Sequence, residues 1–352
     1  MPAAQVAADR PTLADVARAA GVSPATVSRV LTGSAQVTPG TRALVEQAIA
    51  SLGYVRNRAA WSGRPAKAKA NAVALIICEE ITRVFSDQYF SQILRSISAE
   101  LALTGIQPVV LAVHTPREYH TVARYLRSGH VDGALVVSMH GRHPIEFGDL
   151  GIPVVLNGRP ITDGSDVSYV DADNEGGAAA AVRHLLRSGR GPVGTVAGPP
   201  DMAVGVDRLR GYRVAMADAG PGDPGLIAYG DFSHVSAEHA VGLLLDRRPR
   251  IGAIFAASDL MAVGVLRGLR RSGRRVPDDV AVVGFDDLPL AARTDPQLTT
   301  VRQPIAAMGS WMARKLAALV SEPGDPGGAG REAGRTPSRA VLETELVIRK
   351  SA

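Results

Sequence analysis

The first 52 residues contain three short amphipathic patterns. Residues 12–34, TLADVARAAGVSPATVSRVLTGS, hold two of them on either side of Gly21, and in each the apolar side chains recur at one-turn spacing. Thr12 and Ser23 stand where helix N-caps are expected, and Pro24 occupies a first helical position. Two capped helices joined by a glycine turn have helix-turn-helix geometry. The predicted inward side chains are Leu13, Val16, Ala17, Val27, Val30 and Leu31.

The third pattern begins at Thr38, another candidate cap, and continues through residue 52. Its predicted buried face comprises Leu44, Val45, Ala48, Ile49 and Leu52. Three such helices predict a small all-α head. When the valine stripe of the second helix points inward, the side chains that point outward are Ala25, Thr26, Ser28 and Arg29.

From about residue 71, short apolar runs alternate with amphipathic helical patterns. The runs, which predict buried strands, are AVALIIC, QPVVLAV, GALVVS, PVVLNG, PVGTVAG, AIFAAS and VAVVGFDD. Alternation of such strands with helices predicts βαβ units and parallel sheets. Because these units exceed what one small doubly wound domain usually holds, we expect two α/β lobes, with a ligand bound beyond the carboxyl ends of their strands.

Two stretches interrupt these patterns. Residues 58–70, RAAWSGRPAKAKA, have the basic, weakly periodic character of a linker, and the Gly/Pro-rich residues 322–339 predict a surface loop. The expected domains are a head (1–56), a linker (57–70), a first lobe (71–167 and 297–325) and a second lobe (168–296 and 326–352).

The positive charge of the chain is concentrated at its N-terminal end. Residues 1–70 contain nine Arg or Lys and three acidic residues, whereas the remaining 282 residues contain 30 basic and 31 acidic residues. A basic head on a near-neutral body indicates a polyanionic partner, and together with the helix-turn-helix pattern it favours double-stranded DNA.

Enzymes and carriers are the alternative classes. With Cys78 as the one cysteine, a disulfide framework and a multi-cysteine metal site are excluded, and no P-loop or nucleophile elbow occurs. His140 and His143 lack further ligands and are interpreted as a solvated surface pair. We therefore predict neither catalysis nor a metal or other cofactor. The N-terminus lacks a signal-peptide plan and no apolar run is long enough to span a bilayer, so a cytoplasmic, nucleoid-associated protein is expected rather than a periplasmic sugar carrier.

Several motifs together resemble the lac repressor family of bacterial transcription regulators over essentially the whole chain. The motifs are TLADVARAAGVSPATVSRVL, VTPGTRALVEQAIASLGY, DADNEGG, RLRGY, GDFS, ASDLMAVG, VVGFDDLPLA and PQLTTVRQP. The resemblance implies a helix-turn-helix head and a two-lobed effector domain similar to periplasmic sugar-binding proteins. It also implies a homodimer that represses transcription from a palindromic operator under the control of a small, sugar-like effector.

The resemblance also assigns candidate DNA contacts. Pro24, Ala25 and Arg29 match base-facing positions, the candidate phosphate contacts are Ser23, Thr26 and Ser28, and Thr12 is a further candidate DNA contact. Of the three base-facing residues, only Arg29 can form a bidentate hydrogen bond to guanine, so it is the leading candidate for base recognition. A phosphate contact or a solvated position is the alternative for Arg29.

The segment after the third helix departs from the family pattern. In the family it forms a hinge helix whose leucine enters the minor groove. Here Tyr54, Asn57 and Ala60 match, but Gly63 stands in place of the leucine and cannot act as an apolar wedge. Our hypothesis is that Trp61 supplies this group; packing of Trp61 against the body or a partner subunit is the alternative.

The effector-binding candidates follow from the same resemblance. Arg208 would donate to sugar hydroxyls, Asp259 would accept from them and Phe232 would stack on the sugar ring. Further candidates are Asp286, Asn157, Asp87 and Phe90. Structural ion pairing of Arg208 and Asp286, and a core position for Phe232, are the alternatives.

Overall fold

The computed structural model describes residues 12–31, 37–52, 70–141, 150–161, 167–220, 222–321 and 337–352. The chain divides into two compact units, Met1–Pro65 and Ala66–Ala352. The first contains the helical head and the second the α/β body. The boundary predicted between the head and the linker, at residues 56 and 57, lies outside the described residues. So does the rest of the linker up to residue 69.

The head contains helices α1 (Leu13–Ala19), α2 (Pro24–Leu31) and α3 (Pro39–Leu52). Thr12 caps α1 through a reciprocal capping box with Asp15, as its predicted cap role requires. Val16, Ala17, Val27, Val30, Val45 and Ala48 form the buried core.

One predicted core position in the head is wrong. Leu44 is 55% exposed. Val45, Ala48, Ile49 and Leu52 recur at one-turn spacing along α3, and a residue directly before Val45 is rotated about 100° from that stripe. The helical period therefore takes Leu44 out of the core.

The first sheet of the body is parallel, with the strand order β11-β5-β4-β3-β1-β2. Its strands are β1 (Ala72–Ile77), β2 (Gln107–Ala112), β3 (Gly133–Val137), β4 (Val154–Asn157), β5 (Ser168–Ala172) and β11 (Arg339–Leu342). Alternate residues of β1 enter two different core clusters, Val73, Leu75 and Ile77 on one face and Ala74 and Ile76 on the other. β1 is thus buried on both faces, which explains its continuous apolar sequence, whereas the prediction of a buried strand is wrong for the edge strand β2, where Val110 is 51% exposed.

The second sheet has the order β12-β10-β9-β8-β6-β7, in which β12 runs antiparallel to β10. Its strands are β6 (Val193–Ala197), β7 (Ile227–Tyr229), β8 (Ala253–Ala256), β9 (Ala281–Asp286), β10 (Thr299–Arg302) and β12 (Glu345–Val347). Two further core clusters cover its faces. The predicted two-lobed α/β architecture is confirmed.

Helices connect and cover these strands. In the first lobe they are α4 (Ile81–Ser86), α5 (Gln88–Ala102), α6 (Pro116–Arg127) and α11 (Ile305–Ser321). In the second lobe they are α7 (Asn174–Arg187), α8 (Ala203–Ala217), α9 (His234–Arg247) and α10 (Asp259–Arg271). α5 packs with α11, and α7 packs with α8.

The predicted lobe limits differ from the observed strand pairing. β5 and β11 pair in the first sheet, although residues 168–296 and 326–352 had been expected in the second lobe. β10 pairs with β9 in the second sheet, although residues 297–325 had been expected in the first lobe. The chain therefore crosses between lobes after β5, after β10 and between β11 and β12. Pairing partners far apart in sequence set these crossings, and local patterns do not reveal them.

Candidate DNA-binding surface and effector cleft

The second helix of the head presents a polar and small-residue surface. Val27 and Val30 are buried, whereas Pro24, Ala25 and Arg29 are exposed. At the N-terminus of α2 the Ser23 hydroxyl accepts the Thr26 N–H at 3.2 Å. Of the residues predicted to point outward, Ala25 and Arg29 are exposed and Thr26 and Ser28 are half-buried. Thr12 is exposed at the start of α1.

Tyr54, Asn57, Ala60, Trp61 and Gly63 lie outside the described residues. Whether Trp61 replaces the family's wedge stays a hypothesis.

The body brings polar side chains from both lobes together at the carboxyl ends of the strands. We call one group of these side chains the inner cluster. Its members from the first lobe are Tyr89 and Asn157. Its members from the second lobe are Arg208 on α8, Asp286 at the end of β9, and Gln303 directly after β10. Of these, Arg208, Asp286, Gln303 and Asn157 are buried. Arg208 bonds to Asp286, and Asn157 bonds to Tyr89, whose hydroxyl is within electrostatic reach of Arg208 and Asp286, so the three predicted side chains lie in one region between the lobes.

Arg208 is held rigidly in the inner cluster. Its Nε donates to Asn174 Oδ1 at 2.9 Å, and its Nη1 donates to the Ala257 carbonyl at 2.6 Å and to Asp286 Oδ1 at 3.1 Å. The guanidinium lies 3.7 Å from the ring centroid of Phe285. The predicted ligand contact is thus also an ion-pair partner, as the alternative interpretation had it.

Asp286 ends β9 and accepts from Gln303 Nε2 at 2.6 Å as well as from Arg208, both at Oδ1. Burial raises the pKa of Asp286 to about 6, although the Arg208 charge acts in the opposite direction. Because these bonds use Oδ1, the Oδ2 atom is left as an acceptor.

Asn157 is oriented by a neighbour that the sequence did not single out. The Tyr89 hydroxyl donates to Asn157 Oδ1 at 2.5 Å. This bond fixes which end of the amide is the donor, and Asn157 Nδ2 is buried without a hydrogen-bond partner among the described residues. Burial raises the pKa of Tyr89, so that its hydroxyl stays a donor.

A second group, the outer cluster, lies at the ends of β1 and β3. It consists of Glu79, Arg83, Ser138 and His140 from the first lobe. Glu79 Oε1 accepts from Ser138 Oγ at 2.5 Å and pairs with Arg83 Nη1 at 2.9 Å. His140 Nε2 lies 3.5 Å from the same oxygen.

Several contacts among the described residues join the two lobes, including a hydrogen bond from the Gly141 N–H to the Asp201 carbonyl at 2.7 Å. Arg159 forms a bidentate pair with Asp207, with Nε and Nη2 at 2.7 and 2.6 Å from the two carboxylate oxygens. His140 Nδ1 lies 3.0 Å from Asp201 Oδ2. Further contacts are Leu290 N–H to Gln88 Oε1 at 3.2 Å, and the Arg83 guanidinium 5.5 Å from the Phe232 ring centroid.

His140 thus bridges an acid of each lobe. Burial lowers its pKa, but the hydrogen bonds and charges of Glu79 and Asp201 outweigh that effect, so the pKa is raised overall. The interpretation of His140 as a solvated surface residue is wrong, since its side chain is 14% exposed and paired. His143 lies outside the described residues.

Two predicted effector contacts are core residues instead. Asp259 is fully buried, and its carboxylate accepts from the Leu288 N–H at 2.7 Å and from the Thr300 hydroxyl. Burial raises its pKa, which matches a position away from water. Phe90 is buried in the core of the first lobe and meets Tyr89 edge to face.

The other two predicted contacts lie at the cleft. Asp87 is buried, caps α5 by accepting the Tyr89 N–H at 3.0 Å, and burial raises its pKa. Phe232 is buried and packs against Arg83.

Two functional residues that the sequence analysis missed, Glu79 and Arg159, could have been found from their positions just after predicted strands. Glu79 directly follows the apolar run of β1, and Arg159 follows that of β4 by two residues. Tyr89 had no such signal, because it lies inside a helix. No group of three or more metal-ligating side chains is present in the described ranges, and none of their helices is long and apolar enough to cross a membrane.

Comparisons with known proteins agree with both halves of this structure. Residues 12–57 match the family model of bacterial regulatory proteins, lacI family, and residues 182–352 match the periplasmic binding protein-like domain. The chain is 43% identical to the HTH-type transcriptional regulator CelR of Thermobifida fusca, over 97% of this chain and 98% of that protein. It is 31% identical to the transcriptional repressor CytR of Escherichia coli K12, over 97% and 96% of the two chains.

The chain belongs to the lacI family of bacterial regulatory proteins. As a lacI-family protein it is a DNA-binding transcription regulator and not an enzyme, as predicted. Among solved structures, the CelR-cellobiose complex superposes with a TM-score of 0.75 at 41% identity, covering 97% of this chain and 100% of that one. The lac repressor dimer bound to operator and the anti-inducer ONPF superposes with a TM-score of 0.67 at 26% identity, covering 97% and 99%.

Proposed function

We propose that this lacI-family regulator is a dimeric repressor that binds a palindromic operator and changes its operator affinity when a small glucoside such as cellobiose occupies the cleft. It acts in the cytoplasm, on the nucleoid. The observation that carries the proposal is the inner cluster, where buried hydrogen-bonding groups of both lobes face one another. The complex of CelR with cellobiose supports the choice of sugar.

The effector contacts we propose are Asn157, Arg208, Phe232, Asp286 and Asp87. Asn157 Nδ2 has no partner among the described residues and is a ready donor to a sugar hydroxyl. Asp286 Oδ2 is the matching acceptor, and Phe232 offers an apolar ring for the sugar C–H face. Fixed orientation by Tyr89 and Gln303 lowers the entropic cost of binding, because these side chains are ordered beforehand.

Coupling to DNA follows from the three crossings between lobes. A ligand that contacts both lobes favours one angle between them over another, and its difference in affinity for the two angles is the energy available for regulation. In a dimer, such a change of angle alters the spacing of two DNA-binding heads, and a palindromic operator is sensitive to that spacing.

On the DNA side we propose that Arg29 makes a bidentate bond to a guanine, while Pro24 and Ala25 make apolar contacts to bases. The proposed phosphate contacts are Thr12, Ser23, Thr26 and Ser28. The proposed DNA contacts of the hinge are Tyr54, Asn57, Ala60 and Trp61, of which Trp61 supplies the apolar group in the minor groove. Exposed hydroxyls at the start of α1 and α2 suit phosphate oxygens.

Selection of bound duplexes from a random pool tests the proposal. A palindromic consensus with half-sites about one helical turn apart is expected, together with a steep loss of affinity as salt is raised. An Arg29→Ala variant should bind the pool more weakly and lose preference at the symmetry-related pair of guanines. Enrichment of an unpaired half-site would contradict the dimer.

A further inference from the structure

The beginning of α8 carries three of the contacts that join the two lobes. Asp201, two residues before this helix, accepts the Gly141 N–H through its carbonyl at 2.7 Å, and its carboxylate lies 3.0 Å from His140 Nδ1. Asp207, in the second turn of α8, forms the bidentate pair with Arg159. His140 and Gly141 come after β3, and Arg159 comes after β4. One helix of the second lobe therefore contacts the ends of two neighbouring strands of the first.

The lobes approach each other closely here. A Cβ added to Gly141 would lie 3.2 Å from the Asp201 carbonyl oxygen, so glycine permits the hydrogen bond between the lobes. The side chains of Arg159 and Asp207 are 25% and 10% exposed, and at such burial water screens their charges weakly. Because the two residues belong to different lobes, their ion pair stabilises only the arrangement in which the lobes touch.

A hydrogen-bond network joins this ion pair to the inner cluster. The Arg159 N–H donates to Asp171 Oδ2 at 3.0 Å, and Asp171 Oδ1 accepts from Asn174 Nδ2 at 2.8 Å. Asn174 Oδ1 in turn accepts from Arg208 Nε at 2.9 Å. Asp171 lies on β5 and Asn174 begins α7, and the chain crosses from the first lobe to the second between them. The ion pair, one crossing and a proposed effector contact thus form one continuous set of bonded groups.

We propose that the Arg159–Asp207 pair is a latch that holds the lobes together before the effector binds and thereby sets how strongly the effector changes operator affinity. The proposal rests on the proposed function, since it concerns the regulation of the same cleft. A ligand that contacts both lobes and an ion pair that joins them favour the same angle between the lobes. The latch therefore raises effector affinity, and it leaves the effector a smaller shift in population to make.

Hydrogen exchange at the Gly141 amide reports directly on separation of the lobes and needs no sugar. This N–H donates to the other lobe, so it exchanges when the lobes part. Arg159→Met removes the cation, and the Asp207 carboxylate then lacks its partner in the first lobe, which favours separation of the lobes and hydration of the carboxylate. In the full-length protein we expect exchange at Gly141, followed by mass spectrometry, to become about tenfold faster or more.

Asp207 offers a matched control, because it has a second arginine neighbour. Arg210 lies 3.5 Å from the same carboxylate, but both residues belong to the second lobe. Arg210→Met should therefore leave exchange at Gly141 within about twofold of the wild type. Asp207→Asn breaks the latch from the other side and should reproduce Arg159→Met. Thermal unfolding of each variant verifies that it is folded.

Titrations of the full-length protein with cellobiose and with a labelled operator measure the regulatory effect. Both latch variants, Arg159→Met and Asp207→Asn, should bind cellobiose about threefold to tenfold more weakly, because the sugar must then bring the lobes together without the ion pair. With saturating cellobiose their operator affinity should stay within about twofold of the wild type. The ratio of operator affinities without and with the sugar should therefore differ from unity by a larger factor than in the wild type.

The outcomes separate the latch from the proposed function. Unchanged exchange at Gly141 in both latch variants, or equally fast exchange in Arg210→Met, would overturn the latch and leave the proposed function intact. Faster exchange with an unchanged ratio of operator affinities would overturn its regulatory role. Failure of the wild type to bind cellobiose would overturn the glucoside effector, whereas the exchange rates would still support or overturn the latch.

Discussion

The head and the body place their functional side chains differently. In the head, Pro24, Ala25 and Arg29 project from a small core that they do not help to form. In the body, Arg208 and Asp286 are buried and hold each other by an ion pair. A substitution on the head's surface should therefore change binding alone, whereas a substitution in the cleft should change binding and folding together.

The largest effect is expected from breaking the buried ion pair. Arg208→Met leaves the Asp286 carboxylate buried with Gln303 as its remaining described donor, and removal of one partner of a buried pair costs about 3–5 kcal/mol. Urea unfolding measures the free energy of unfolding, and effector titration should find no binding. Adding Asp286→Asn should recover part of the stability but not the binding. An Arg208→Met protein of wild-type stability would contradict the structural half of this comparison.

Arg29→Ala tests the opposite behaviour in the head. Loss of a bidentate contact to guanine costs about 1–3 kcal/mol, or roughly tenfold to more than a hundredfold in operator affinity. The free energy of unfolding should stay within about 0.5 kcal/mol of the wild type, because Arg29 is exposed. Equal weakening on specific and random duplexes would instead make Arg29 a phosphate contact.

Tyr89→Phe probes a side chain that only positions another. It removes the hydroxyl that fixes Asn157 and should reduce both stability and effector affinity by about 1 kcal/mol. Tyr229→Phe is the matched control, because it removes the same hydroxyl from an exposed tyrosine. Leu94→Ala is unsuitable, since Leu94 packs on the core. Effector affinity unchanged in Tyr89→Phe would show that Asn157 needs no partner to bind sugar.

The smallest effect concerns pH and the His140 bridge. The pKa of His140 is raised in the folded state by Glu79 and Asp201, with Arg83 as the other charged group at Glu79. Its stabilisation is therefore fully present below the unfolded value of 6.5 and is lost as pH rises through the folded pKa. The stability difference between wild type and His140→Gln should shrink as pH rises above 6.5 and through the raised folded pKa. A difference that grows over this range would contradict the assigned charge.

The sequence predicted these two regions unequally. In the head, helical spacing alone identified the buried stripe of α2, and it failed at Leu44, which lies beside the stripe of α3. In the body, apolar runs identified β1, β2, β3, β4, β6, β8 and β9 but not β5, β7 and β10, and they pointed to Asn157 and Asp286 but not to Glu79 or Arg159. They could not tell that Asp259 turns into the core towards Thr300, or that Tyr89 reaches Asn157, because both contacts join distant segments.

Lobe membership was limited in the same way. β5 and β10 were not among the predicted strands, and only their pairing assigns one to each sheet. The chain crosses between the lobes after each of these two strands. These crossings were therefore the part of the body that local sequence patterns predicted least well.

The central claim is that a sugar in the cleft controls the affinity of the head for its operator. Fluorescence anisotropy of a labelled operator duplex, titrated with the full-length protein with and without saturating cellobiose, tests it directly. The account predicts a change of about fivefold to a hundredfold in operator affinity, and an Asn157→Ala protein should need more sugar to reach it. An operator affinity that stays the same at every cellobiose concentration, for a protein that calorimetry finds saturated with the sugar, would contradict it.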